Sequence, residues 1–116
     1  MLKIVADPTF AGHADITDLG AEAPVRIAVV WKHKTVEQLS AWFESNRDKP
    51  AADALMEIVA DCPDLANGAG ESIPFSRDAL AVLLANRAAA VSEITSAYMT
   101  QLTESRIKNS KAPLAS

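Results

Sequence analysis

The sequence predicts a single α+β domain, an N-terminal antiparallel β-hairpin or small sheet followed by about four α-helices. Three observations carry that reading. Residues 25–32 alternate, with Val25, Ile27, Val29 and Trp31 on one side and Arg26, Ala28, Val30 and Lys32 on the other. This is the period of a strand with one buried face. Directly afterwards the apolar period lengthens: Val36, Leu39, Trp42 and Phe43 fall three to four residues apart, on one stripe of a helix. Thr35 stands three residues before Gln38, the spacing of a capping box, so strand gives way to helix within two or three residues.

The elements follow in chain order. Leu2, Ile4 and the run through Val5 suggest a short opening strand, stopped at Asp7-Pro8 because proline cannot donate to a ladder. From Thr9 to Thr17, Phe10, Gly12, Ala14 and Ile16 share a face, and DLGAEAP at 18–24 has the residues of a loop. Folding the chain there pairs Phe10 with Trp31, Gly12 with Val29, Ala14 with Ile27 and Ile16 with Val25. An aromatic then meets an aromatic, and a bulky valine lies opposite a glycine. Two strands alone are marginal in water, so helices must cover the apolar face.

The first helix is expected from about Thr35 to Ser45. Asp48 then caps a second, at about 50–61, with Pro50 in its first turn. Leu55, Met56 and Val59 face inward, with Ile58 at the edge, and Cys62-Pro63 ends the helix. The loop PDLANGAGESIP, 63–74, holds two glycines and two prolines and is the natural place for flexibility. Ser76 caps the third helix, with Asp78 near its positive end and Phe75 placed to staple onto Leu80. That helix carries Leu80, Leu83 and Leu84 to about Asn86. The fourth, from Ala88 to about Lys108, has Val91, Ile94, Tyr98 and Leu102 on one stripe. Asn86-Arg87 either breaks the last two helices or bends one long helix. Residues 1–108 are expected to form the domain and 109–116 a disordered tail.

Composition narrows the function classes. With 116 residues, 49% hydrophobic and 22% charged, the chain is an ordinary globular domain by size and content. A lone Cys62 forms no internal disulfide, which fits a reducing compartment. MLKIVADP lacks the apolar core and cleavage site of a secretion signal, and no apolar run reaches a membrane span of roughly 20 residues. Net charge is −4. Residues 35–75 hold eight acidic against two basic residues, while residues 76–116 hold five basic against three acidic. A nucleic-acid footprint needs a concentrated basic face, which this distribution does not supply.

Catalytic constellations are equally sparse. Cys62 ends a predicted helix, where no helix dipole lowers its pKa, and the two histidines, His13 and His33, fall on neighbouring strands. His13, His33 and Cys62 have no metal-ligand spacing. Glu37, Glu44, Asp48, Asp53, Glu57, Asp61 and Asp64 read as the solvated faces of amphipathic helices. The glycines at 12, 20, 68 and 70 form no phosphate loop, since GAG lacks the following Lys-Ser or Lys-Thr. No catalytic residue, metal ligand or cofactor is expected. Binding fares better. Trp42 beside Phe43, Tyr98 beside Met99 and Leu55 beside Met56 make apolar stripes broader than a single helix seam, the mark of a surface for another helix or another copy of the chain. Trp42, Phe43, Met56, Tyr98, Met99 and Leu102 are therefore the candidate partner-binding residues. The competing reading is that they simply widen the core.

Four segments carry a resemblance: LKIVADPTF (2–10), WKHKTVEQLSAWFES (31–45), DALMEIVAD (53–61), and PFSRDALAVLLAN (74–86) leading into AAVSEITSAYMTQL (89–102). In this order and spacing the chain resembles the small tail assembly chaperones of long-tailed bacteriophages and prophages. It departs from them at Cys62, where a tryptophan is usual, and at Arg87-Ala88-Ala89, where relatives have an aromatic-proline-glycine turn. The resemblance implies a non-enzymatic protein of the host bacterial cytoplasm, absent from the mature virion. It would bind the helical, aggregation-prone tape measure protein and help tail-tube subunits assemble around it, with self-association into a homo-oligomer in keeping. A small host adaptor or inhibitor is the alternative from another class.

Overall fold

Strands β1 (Thr9–Ile16) and β2 (Val25–Lys32) form an antiparallel hairpin. Its register matches the expected one residue for residue, Phe10 opposite Trp31, Gly12 opposite Val29, Ala14 opposite Ile27 and Ile16 opposite Val25. The structure, a computed structural model, describes the backbone of residues 2–115 and the side chains of residues 2–103. The tail expected at 109–116 lies outside the residues described in full. Helices α1 (Val36–Ser45), α2 (Ala51–Met56), α3 (Arg77–Asn86) and α4 (Ala90–Ala115) follow, with a single 3-10 turn at Asn46–Asp48.

A third strand, β3 (Val59–Asp61), pairs antiparallel with β2 and completes a sheet of order β1-β2-β3. It replaces the second half of the helix expected at 50–61. After Met56 the chain reaches Ile58 and Val59, whose β-branched side chains fit a pleated sheet better than a helix. The Lys32 N–H donates to the Ile58 carbonyl at 2.7 Å, and Val59 lies opposite Trp31 across a bulge. Pairing with β2 thus outcompetes one more helical turn. Pro50, not Asp48, is the N-cap of α2.

Leu2, Ile4 and Val5 do not form the short strand expected of them; the chain bends there and these side chains are exposed. The Pro8 carbonyl accepts from the His33 N–H at 2.9 Å, which makes it the first anchored point of the sheet. The caps follow the sequence. Thr35 and Gln38 form the reciprocal capping box of α1, and the Ser76 hydroxyl accepts from the Ala79 N–H at the start of α3. Helices α3 and α4 are separate, broken at Arg87 in an extended conformation.

The sheet has one buried face. Ala14, Ile16, Ile27, Val29, Trp31 and Val59 are buried there with Leu55, Ile58, Leu80, Ala90, Ile94, Tyr98 and Leu102 of the helical half. On the opposite face Thr9, Ala11, Asp15, Arg26, Ala28 and Lys32 are exposed. The inward stripe of α4 runs Ala90–Ile94–Tyr98–Leu102 rather than starting at Val91, which faces solvent. On α1 only Trp42 is fully buried, and Val36, expected on the inward stripe, is 87% exposed. A ten-residue helix that packs inward through Trp42, against Tyr98 and the Ala54 carbonyl, needs a narrower seam than its apolar residues could supply.

Helix α4 also reaches over the outer edge of β1. The Gln101 carboxamide accepts from the His13 N–H at 3.0 Å and donates to the His13 carbonyl at 2.6 Å, while Glu93 accepts from the Thr17 N–H at 3.0 Å. On the far side of β2, the Asp64 carboxylate accepts from the Ala28 N–H at 2.9 Å. On the open face the Arg26 guanidinium, bonded to Asp15 at 2.8 Å, holds that carboxyl below the ordinary carboxylate range.

Candidate partner-binding surface

Five aromatic rings form a connected cluster that reaches from the sheet to the surface. Tyr98 is central, its ring centroid 5.4 Å from that of Trp31, 6.3 Å from Trp42 and 6.4 Å from Phe10. Trp42 connects the cluster to Phe43 at 5.1 Å. These are the separations of favourable ring pairs. Each polar tip in the buried part has a partner. The Tyr98 hydroxyl donates to the Lys32 carbonyl at 2.8 Å, the Trp42 indole N–H to the Ala54 carbonyl at 2.9 Å, and the Trp31 indole N–H to Gln101 Oε1 at 2.8 Å. Burial pushes the Tyr98 phenol up to about 12.

The six residues nominated from sequence fall into three environments. Trp42, Tyr98 and Leu102 are buried in the core; Met56 and Met99 are half-buried against it. Phe43, at the outer end of the cluster, is 45% exposed. Val36, half-buried Leu39 and Phe43 are spaced i, i+3, i+7 along α1, so they form a short apolar stripe whose ends face solvent. Glu37, Ser40 and Glu44 surround it with polar groups.

A second apolar feature lies between α3 and the loop before it. Leu65, Ile73, Ala79, Val82 and Leu83 line an open groove of about 720 Å³. The loop is shaped by Asn67, whose side-chain oxygen accepts from the Ala69 and Glu71 N–H groups, and by Gly70 at φ +81°, a conformation that favours glycine. Ile73 N–H donates to the Leu65 carbonyl at 3.0 Å and closes the base. Arg77, bonded to Asp53 at 2.7 Å, ties the start of α3 to α2.

The chemically suggestive side chains have structural engagements. Asp53 pairs with Arg77, Glu57 with Lys49 at 2.8 Å, and Asp64 holds the edge of β2. Among the described residues no cluster of three or more His, Cys, Asp or Glu is placed to hold a metal ion, and no helix is long and apolar enough to cross a membrane. Cys62 is buried, and burial together with Asp61 and Asp64 raises its thiol from 9.0 to about 11. The raised pKa leaves about a hundredfold less thiolate at neutral pH, and the thiolate is the reactive form. Native protein is therefore expected to react with a disulfide reagent at pH 7.5 at least 100-fold more slowly than the urea-unfolded chain. Equal rates would show that the thiol is open. Because the folded-state pKa is raised, the neutral thiol's contribution to stability is fully present below pH 9 and lost as pH rises through about 11.

Gln101 is the residue that sequence reading passed over. It looks like a solvated polar position on α4, yet its single carboxamide serves two backbone groups and an indole. The only trace of it in the sequence is Gly12, whose missing side chain leaves room for that amide and for Trp31.

A small α+β domain with a packed aromatic interior, an apolar stripe left open on one helix and an apolar groove beside another has the build of a protein-binding domain. A family model of the phage tail assembly chaperones matches residues 1–109, nearly the whole chain. The protein belongs to the phage tail assembly chaperone family. No curated protein and no solved structure matches it.

Proposed function

We propose that this protein binds the tape measure protein through the apolar face of α1, keeps it soluble, and promotes tail-tube assembly without catalysing a reaction. Family membership supports the general role, and the observation that carries the finer reading is Phe43. It is a large aromatic left half in solvent at the outer end of a ring cluster whose Trp31, Trp42 and Tyr98 are buried. Exposed beside Val36, it loses little on folding and gains when an apolar helix covers it. Trp42 beneath it, pinned through its indole N–H, is a rigid base for the contact. In this reading Trp42, Met56, Tyr98, Met99 and Leu102 back the surface from inside. The protein acts in the host bacterial cytoplasm and leaves before the virion is complete.

Co-expression with the tape measure protein of the same phage tests this. The wild-type chain is expected to raise the soluble fraction of the tape measure protein several-fold. Phe43→Asp with Val36→Asp is expected to abolish that gain. At such exposed sites stability should change by no more than about 1 kcal/mol. A tape measure protein equally insoluble with and without the chain removes the content of the proposal. A gain that survives both substitutions moves the contact away from α1.

A further inference from the structure

We propose that a hollow beside α1 is a second recognition site, which takes an acidic segment of a partner protein. The end of β2 and the link to α1 line it with Lys32, His33 and Lys34, and α1 lines it with Gln38, Ala41 and Trp42. The space is open and measures about 660 Å³, within the size range of binding clefts. At 3.6 residues per turn, Ala41 and Ser45 lie on the side of α1 away from Val36 and Phe43. The hollow is therefore separate from the apolar stripe.

Charge sets the chemistry of the occupant. The whole chain carries −4, yet positive groups gather here. Glu57 is the one carboxylate among the described lining residues, and Lys49 answers it at 2.8 Å. Asp7, next to Pro8 at the rim, is paired with Lys3 at 3.1 Å. Lys32 donates to the Met56 carbonyl at 3.0 Å and keeps its other ammonium hydrogens. Lys34 is half-buried and enters no ion pair among the described residues. An ammonium partly withdrawn from water without a counter-charge gains when a carboxylate reaches it. His33, half-buried next to it, adds a polar ring to the same lining.

A peptide segment fits these groups better than other anions do. Inorganic phosphate would leave most of the volume, and the apolar Pro8, Ala41 and Trp42, without a contact. A nucleic acid repeats its charge along the whole strand. Glu37, Glu44 and Asp48, exposed along α1 and the turn after it, would repel it. A protein segment carries carboxylates only where its own sequence places them, with apolar side chains between. The matching segment has glutamates or aspartates flanking an apolar residue, the carboxylates at Lys32 and Lys34 and the apolar side chain over Ala41 and Trp42.

Fluorescence anisotropy of a labelled peptide of alternating glutamate and leucine, titrated with the full-length chain at neutral pH, tests the proposal. The wild type is expected to bind it saturably, and more weakly as salt is added. Lys34→Glu, at a position without an internal ion pair, is expected to weaken binding about 10-fold or more with unchanged circular dichroism. Lys34→Arg should keep it. Phe43→Ser, on the other side of α1, should leave it within about twofold. A wild type that does not bind overturns the proposal, as does Lys34→Glu binding like the wild type. Equal binding of a peptide with lysine in place of each glutamate overturns it too, since the contact would then be apolar only. Displacement of the peptide by an equal concentration of a thymidine oligonucleotide would make the hollow a general polyanion site and also overturns it. The assay contains no tape measure protein, so this proposal and the proposed function can each fail alone.

Discussion

Trp31→Ala is expected to be the most damaging single truncation in the chain, at about 3–5 kcal/mol. The side chain is fully buried, opposite Phe10 on β1 and Val59 on β3, with its ring against Tyr98. Its removal opens a cavity where sheet, α4 and the aromatic cluster meet, and leaves the Gln101 amide without its indole partner. Domains of this size have total stabilities of about 5–15 kcal/mol, so the variant should be marginal or unfolded at 37 °C. Urea denaturation followed by the fluorescence of Trp42 gives the measurement. With a slope of about 1–3 kcal/mol per molar, the midpoint should fall by about 2 M. A loss below about 1 kcal/mol would show that Trp31 is not central to the core.

Gly12→Ala is expected to cost about 2–4 kcal/mol although it adds a single methyl group. A Cβ at this position would lie 2.5 Å from Trp31 Nε1 and closer still to Gln101 Oε1. Both atoms are fixed by the hydrogen bond between them, and Gln101 is fixed again by His13. Overpacking typically costs about 1–3 kcal/mol, and a broken buried hydrogen bond adds a comparable loss. The Gln101→Ala background separates the two effects. Shortening Gln101 removes the nearest obstacle, so Gly12→Ala should cost at least about 1 kcal/mol less there than in the wild type. Simple additivity would place the clash elsewhere.

The two substitutions mark where the fold was legible in the sequence and where it was not. The hairpin register could be read because each pair has a local reason: ring against ring at Phe10 and Trp31, small against branched at Gly12 and Val29. The caps at Thr35 and Ser76 could be read because a cap involves residues three apart. Strand β3 could not be read. Leu55, Met56, Ile58 and Val59 fit a helical period, and what makes Val59 a strand residue is Trp31, 28 positions earlier in the chain. The same holds for Gln101, whose partners are His13 and Trp31. At Val36 and Val91 periodicity identifies an apolar stripe without saying how much of it the neighbours cover, and both side chains face solvent. The groove along α3 has no local signal in the sequence, since it depends on a loop closed by the Asn67 side chain and the Ile73–Leu65 bond. Of the candidate surface, sequence supplied the residue types at Trp42, Phe43 and Tyr98, and structure supplied which of them meets water.

The side chains that reach the margins of the sheet have a further consequence. Strand margins with free amide and carbonyl groups are templates onto which other chains add and from which fibres grow. Here Gln101 occupies both groups of His13, Glu93 the amide of Thr17, and Asp64 the amide of Ala28. A tail assembly chaperone would be a poor guardian if it seeded such growth itself. These three side chains blunt ribbon-like propagation through the backbone.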